Sequence, residues 1–310
     1  MNDTRNNTTV SVVIPTLNAM GYLPALRRAL RAQQPCPPAE ILLVDSGSKD
    51  GTVEYVAGLG ADVHLIEIDR FSHGRARNLG VQNSRGDFVV FMSQDAVPKN
   101  DVWLTALVEP LANPRVAAAF SKQEPRAEAT PMESFFLHYH FPPGFPVQMC
   151  REGKTRLAFQ NGIFFSNVSA VVRRSMALKY PFDEHVIMSE DQAFARDIIC
   201  AGYAIVYTPV SVVLHSHEYD LVRVFKRYFD SVYSLGKIFP DLGIRTTLLL
   251  AFSYLRKEVP FMFFRHPTWL PYYLAYTTSK AAAAAAAQFA DRMPRKVVKR
   301  LSQHSSWWGP

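Results

Sequence analysis

The residues best suited to chemistry fall in six short stretches. Three of them, Pro15-Thr16-Leu17-Asn18, Asp45 to Thr52 (DSGSKDGT) and Ser93-Gln94-Asp95-Ala96, each follow an apolar run. The other three are Phe71 to Gly80 (FSHGRARNLG), Ser189-Glu190-Asp191 and His215-Ser216-His217. A carboxylate at a strand end, such as Asp45, can accept the N3–H of a uracil or thymine ring, and the turn Ser46 to Gly51 lets backbone approach a ligand. The same residues also read as an ordinary turn with Asp45 capping the next helix. Arg75 and Arg77 stand at a helix entrance, where a guanidinium and N-terminal N–H groups hold a diphosphate; a solvated basic face is the plainer reading. Glu190 and Asp191 open a helix. They suit removal of a proton from a hydroxyl, or simply complement the helix dipole. His215 and His217 lie two apart and so share a face. Two histidines with one aspartate suit a transition metal such as zinc or iron, or one ligates while the other packs.

These residues need a scaffold that brings strand ends together. Val10–Ile14, Glu40–Val44, Val63 to Ile68 and Asp87–Met92 read as buried strands. Tyr22–Gln33, Thr52–Leu59 and Gly74–Ser84 read as the intervening helices. That alternation predicts right-handed β-α-β units and an α/β fold with a mostly parallel sheet. Ligands of such sheets bind at the carboxyl ends of strands, where the stretches above begin. Residues 113–160, with Pro125, Pro131, Pro142, Pro143 and Pro146 among them, read as a long irregular connection. Asn167–Val172 and Tyr203–Leu214 suggest further strands, and Glu190–Ala201 a helix. Ala281–Ala287 is a run of alanines that favours helix and carries no chemistry.

In this order, the stretches resemble a family 2 glycosyltransferase of the GT-A fold, over about residues 10–220. The segments Phe71–Gly80, Ser93–Ala96 and His215–His217 look like the bacterial rhamnosyltransferase branch, which uses dTDP-L-rhamnose. The resemblance implies an inverting transfer of a sugar, most readily L-rhamnose, to a hydroxyl of a cell-surface glycan or a polyprenyl-linked acceptor. It puts Pro15, Thr16, Asn18, Asp45, Ser46, Arg75, Arg77, Gln94 and Asp95 on the nucleotide-sugar side, with His73 a weaker contact. Asp191 becomes the base, and Glu190, Asn161 and His217 line the acceptor side. Where the family has Asp-x-Asp, this chain has Ser93 before Asp95. Magnesium or manganese can bind through one or two carboxylates with phosphate oxygens and water, so Asp95, helped by His215, is the implied metal site. Asn78 is expected to tie its helix to a neighbouring loop. A UDP-hexose donor, or a non-catalytic nucleotide-sugar scaffold, are the alternatives.

Composition agrees with a folded enzyme. Of 310 residues, 48% are hydrophobic and 20% charged, which excludes a mostly disordered chain. Three widely spaced cysteines make neither a disulfide framework nor a cysteine zinc site. Charge is uneven: residues 1–220 carry 20 basic and 23 acidic side chains, and residues 221–310 carry 14 and 4. The boundary near residue 220 predicts a catalytic region, 1–220, followed by a helical, basic and aromatic region, 221–310. The latter can lie on an anionic membrane from the cytoplasmic side or pack on the core. The amino terminus lacks the pattern of a signal peptide, no window reaches the roughly 20 apolar residues of a membrane span, and no nucleic-acid-binding motif is present.

Overall fold

The computed structural model describes residues 9–35, 37–60, 63–67, 71–144, 147–149, 165–240 and 244–309. Its sheet grows from strands that are apolar on both faces. In β1 (Val10–Thr16), Val12 and Ile14 face one layer and Val13 the other. In β2 (Glu40–Asp45), Ile41 and Leu43 oppose Leu42 and Val44, and β4 (Phe88–Met92) repeats the alternation. Such strands must be covered on both sides. One side takes α1 (Leu23–Arg31), through Leu23, Leu26 and Leu30, and α4 (Trp103–Val108), through Trp103, Leu104 and Leu107. The other takes α3 (His73–Asn83), α6 (Arg174–Lys179) and α7 (Glu190–Cys200), which contribute Ala76, Met176, Phe194 and Ile198. α3 presses close because residue 80 is glycine: a Cβ there would lie 2.2 Å from Val13 Cγ1.

With β3 (Val63–Glu67), β5 (Val97–Pro98), β6 (Val116–Glu124), β7 (Val147–Met149), β8 (Ser169–Arg173) and β9 (Ala204–Leu214), the order is β3-β2-β1-β4-β8-β6-β9-β5, and β7 pairs with β9. Strands β3, β2, β1 and β4 are parallel, as the sequence predicts. Past β4 the sheet is mixed. β8 runs antiparallel to β4 and β6, β6 and β9 are parallel, and β5 and β7 run antiparallel to β9. The fold is α/β, with its fully parallel part confined to the first four strands.

The reading of residues 113–160 as irregular is corrected. β6 is a nine-residue strand between β8 and β9, and α5 (Pro131–His140) follows it. The prolines punctuate these elements: Pro131 opens α5, where Thr130 caps by accepting from Glu133 N–H. The alanines of β6 carry no strand propensity, and burial between two strands decides the conformation instead.

Beyond residue 220 come α8 (Leu221–Ile238), α9 (Ile244–Arg265), α10 (Leu270–Ala287) and α11 (Arg295–Leu301). α8 docks on the α/β layer: Met188 N–H donates to Ser234 Oγ at 3.2 Å, and Arg196 donates to the Ile238 carbonyl at 2.8 Å. The alanine run packs Ala283 and Ala287 against Phe229 of α8, small side chains letting the helices approach. Buried Asp230 accepts from Gln303 N–H at 2.8 Å and His304 N–H at 3.1 Å, drawing the last segment back across α8.

Candidate active site

Two loops form one wall. Asn18, at φ 51°, accepts from Lys49 N–H at 2.9 Å, and its own N–H donates to Ser48 Oγ at 2.7 Å. Ala19 N–H donates to Thr52 Oγ1 and Met20 N–H to Asp50. Ser46 donates through both N–H and Oγ to the Thr16 carbonyl. Gln94 brackets the Leu17 backbone, accepting from its N–H at 2.8 Å and donating to its carbonyl at 3.1 Å. Asp45 is buried, and its carboxylate accepts from Gly47 N–H, Ser48 N–H, Ser48 Oγ and Thr16 Oγ1. Those four donors occupy about the full acceptor capacity of a carboxylate. In this conformation Asp45 builds the turn, but it does not cap the next helix, which starts at Thr52 behind Gly51. Pro15, half-buried in β1, adds only shape.

Asp95 follows β4 and faces the end of β9. Its Oδ1 is 3.6 Å from His215 Nε2 and its Oδ2 is 3.6 Å from His217 Nδ1. The two imidazoles stand edge to face, 4.4 Å apart. The sequence reading put His217 on the acceptor side; the structure instead places it beside Asp95, because alternate residues project together. His215 Nδ1 pairs with Gln123 Oε1 at 2.9 Å, while its buried Nε2 has no hydrogen-bond partner. A proton held on Nδ1 by Gln123 leaves a lone pair on Nε2 aimed at Asp95. Burial holds the pKa of both His215 and His217 down to about 3, His215 adding to the effect on His217, so both are neutral. A carboxylate with two neutral imidazoles, their ligand atoms within 4.8 Å of one another, fits a divalent cation.

Asp191 sits in the first turn of α7, whose N-terminal residue Ser189 adopts φ 65°. Its carboxylate accepts from Gln192 N–H at 2.8 Å and Asn167 N–H at 3.3 Å. Burial, and then the charge of Glu190, raise its pKa to about 7. Next to Asn167, the Val168 carbonyl accepts from Ser93 N–H at 3.0 Å, so a short relay joins the turn of Asp191 to that of Asp95. Glu190 was expected toward an acceptor and Arg77 toward phosphate. Instead they form a buried ion pair of 2.6 Å, and Arg77 also donates to the His73 carbonyl. Each charge is neutralised by the other, and both side chains are buried. Arg75, half-buried, opens α3, its N–H donating to Ser72 Oγ. His73 lies against His304 of the last segment, ring centroids 5.4 Å apart. Asn78 ties α3 to its neighbour as expected, donating to the Phe182 carbonyl and Glu184. Asn161 lies outside the described residues.

Sequence reasoning missed Gln123, Arg126 and the position of Arg227. Arg126 donates to the Asp95 carbonyl and lies over Tyr22. Arg227 stacks on Tyr219 and donates to its hydroxyl at 2.8 Å; Tyr219 in turn stands 4.9 Å from His217. Burial is the main cause that holds the pKa of His73, His215, His217 and His304 down, and the charge of Arg227 adds to it at each. The signal was there: Arg126 follows β6 by two residues, and β6 runs beside β9.

A carboxylate with two histidines at the strand ends, joined by a short backbone relay to a second carboxyl of raised pKa, sits in an α/β fold of the GT-A type. The chain belongs to glycosyl transferase family 2, whose model matches residues 11–180, and it is a glycosyltransferase. It is 29% identical over 304 residues to the O-antigen chain rhamnosyltransferase RfbN of Salmonella typhimurium, covering 96% of both chains. It is 27% identical to WbaN of Salmonella anatum, another O-antigen chain rhamnosyltransferase, covering 87% of this chain and 86% of that one. Among solved structures, the Pyrobaculum calidifontis mannosyltransferase PcManGT with GDP-Man and Mn2+ superposes with TM-score 0.56 at 20% identity, covering 97% of this chain and 85% of that one. S. aureus TarS with UDP-GlcNAc gives 0.57 at 16%, covering 95% and 84%. At these identities the structural likeness speaks to the fold.

Proposed function

We propose that the protein is an inverting rhamnosyltransferase that moves L-rhamnose from dTDP-L-rhamnose to a hydroxyl of a cell-surface glycan, with the acceptor carried on a membrane lipid at the cytoplasmic face. The supporting observation is that Asp191, a half-buried carboxyl with a pKa of about 7, is joined through Val168 and Ser93 to the Asp95 turn. A base poised near neutrality takes a hydroxyl proton efficiently. The names of the two Salmonella relatives support the sugar and the glycan.

The nucleotide would lie along the wall of Thr16, Asn18 and Ser46, with Arg227 and Arg126 on the side of its phosphates. Asp95, His215 and His217 would hold a divalent cation, His217 making up for the carboxylate that Ser93 lacks. Bound there, the cation would neutralise charge on the leaving nucleoside diphosphate. Asp191 takes the proton of the incoming hydroxyl as its oxygen attacks the anomeric carbon from the face opposite the leaving group. Glu190, paired with Arg77, holds the first turn of α7 in place.

The test is transfer and calorimetry with dTDP-rhamnose, UDP-glucose and UDP-galactose, with and without Mg2+ or Mn2+. Asp191→Asn should lower kcat by about 10²–10⁴ while leaving the donor Kd unchanged. Turnover preserved in that variant removes the assignment of the base, and preference for a UDP-sugar removes that of the donor.

A further inference from the structure

The basic, aromatic region divides into an inward and an outward part. Arg227 lies over Tyr219, next to His217, and Lys280 lies within 4.7–5.3 Å of the Tyr228, Tyr254 and Tyr276 rings. The outward part is one face of α9. Leu248, Phe252, Val259, Phe263 and Phe264 are all exposed, Phe252 to 66% and Phe264 to 79%. At 100° per residue, Leu248, Phe252, Val259 and Phe263 fall within about 60° of one another, with Arg256 on the edge of that stripe. Arg256, Lys257 and Arg265 are exposed on the same helix. Its one acidic residue, Glu258, is buried about 110° round the helix from the centre of that stripe, accepting from Tyr254 and Tyr273. No described helix is long and apolar enough to cross a membrane.

We infer that α9 is an in-plane anchor that seats this apolar stripe in an anionic lipid surface. An exposed stripe of large apolar side chains marks an interaction surface. Its flanking charge selects the partner. A second copy would bring Arg256 and Lys257 against their own counterparts without an exposed carboxylate on the helix to answer them, whereas anionic headgroups complement them. Phenylalanines with a snorkelling arginine beside them suit the headgroup boundary. The surface is also placed to serve the cleft. Met262, on the inner side of α9, packs on Met132 of α5, and the next residue of α5, Glu133, accepts from His217 N–H. One helix thus separates the lipid surface from the Asp95 cluster.

This deepens the function proposed above and rests on it only for the acceptor's place on a membrane lipid. Vesicle binding is measured with neither donor nor acceptor, so the two readings fail separately. The probe is co-flotation of the full chain with vesicles of phosphatidylcholine alone, or of about three parts phosphatidylcholine to one of phosphatidylglycerol. Binding is expected to the mixed vesicles only, weakening with salt. Arg256→Gln should weaken it about fivefold. Phe252→Glu with Phe263→Glu should abolish it while calorimetric nucleotide binding persists. Binding that survives the double substitution overturns the proposal. So does a wild-type chain that ignores both vesicles, or one that sediments as a dimer which the double substitution converts to monomer.

Discussion

Replacing Glu190 with glutamine isolates what sets the reactivity of Asp191. Burial is the larger reason for the raised pKa of Asp191, the Glu190 charge is next, and Arg77 works against both. With a pKa of about 7, the ionised fraction of Asp191 rises from about 9% to about 91% between pH 6 and pH 8. The wild-type kcat/KM should therefore climb about tenfold over that interval, since the base must be ionised. The amide of Glu190→Gln would keep an oxygen for the Arg77 guanidinium but lose the negative charge beside Asp191. Two charges about 6–8 Å apart at an effective dielectric near 20 interact by about 2–3 kcal/mol. Solvent at half-buried Asp191 screens part of this, which leaves a fall of about one pKa unit. The assay is kcat/KM for rhamnosyl transfer from about pH 5 to pH 9, with donor binding by calorimetry as the check on folding. The expected acid limb lies near 7 in the wild type and near 6 in Glu190→Gln. A limb that does not move, or a wild-type limb at the ordinary carboxylate value, refutes the reasoning.

Three further outcomes follow from the geometry. Gln123→Leu removes the acceptor that orients His215, so Mn2+ affinity measured by titration in the presence of nucleotide should drop about 10–100-fold, with metal-free nucleotide binding retained. Arg227→Met should weaken the donor Kd by about 1.5–3 kcal/mol, the usual worth of a hydrogen bond to a charged group; calorimetry with the nucleoside diphosphate reads it directly. Gly74→Ala would place a Cβ 2.3 Å from the Asp183 carbonyl oxygen, and that rigid contact should destabilise the fold by about 1–3 kcal/mol, visible as a lower Tm.

Much of the scaffold is local and therefore legible. Val10 to Ile14 and Glu40 to Val44 announce buried strands by composition, and their ends mark the wall proposed for the donor. Glu190-Asp191 at a helix start is visible because helix entry is a short-range pattern. Long-range pairings were not visible. Arg77 and Glu190 are 113 positions apart, and nothing in either neighbourhood says that each charge is spent on the other. Gln123 lay hidden because β6 opens on Val116 and three alanines and is held between β8 and β9, both far later in the chain. Only the register, with Glu124 opposite Leu214, brings Gln123 to His215. The move of His217 from the acceptor side to the Asp95 cluster is likewise a matter of which way a strand end faces.

The stitching of Asn18, Ser48 and Asp50 has a consequence for recognition. Chain entropy for these two loops is surrendered when the protein folds, not when a ligand arrives. Under the proposed function, a nucleotide would thus meet a wall already in shape. Discrimination there must come from fit against fixed backbone, and encounter with that wall need not wait on loop rearrangement.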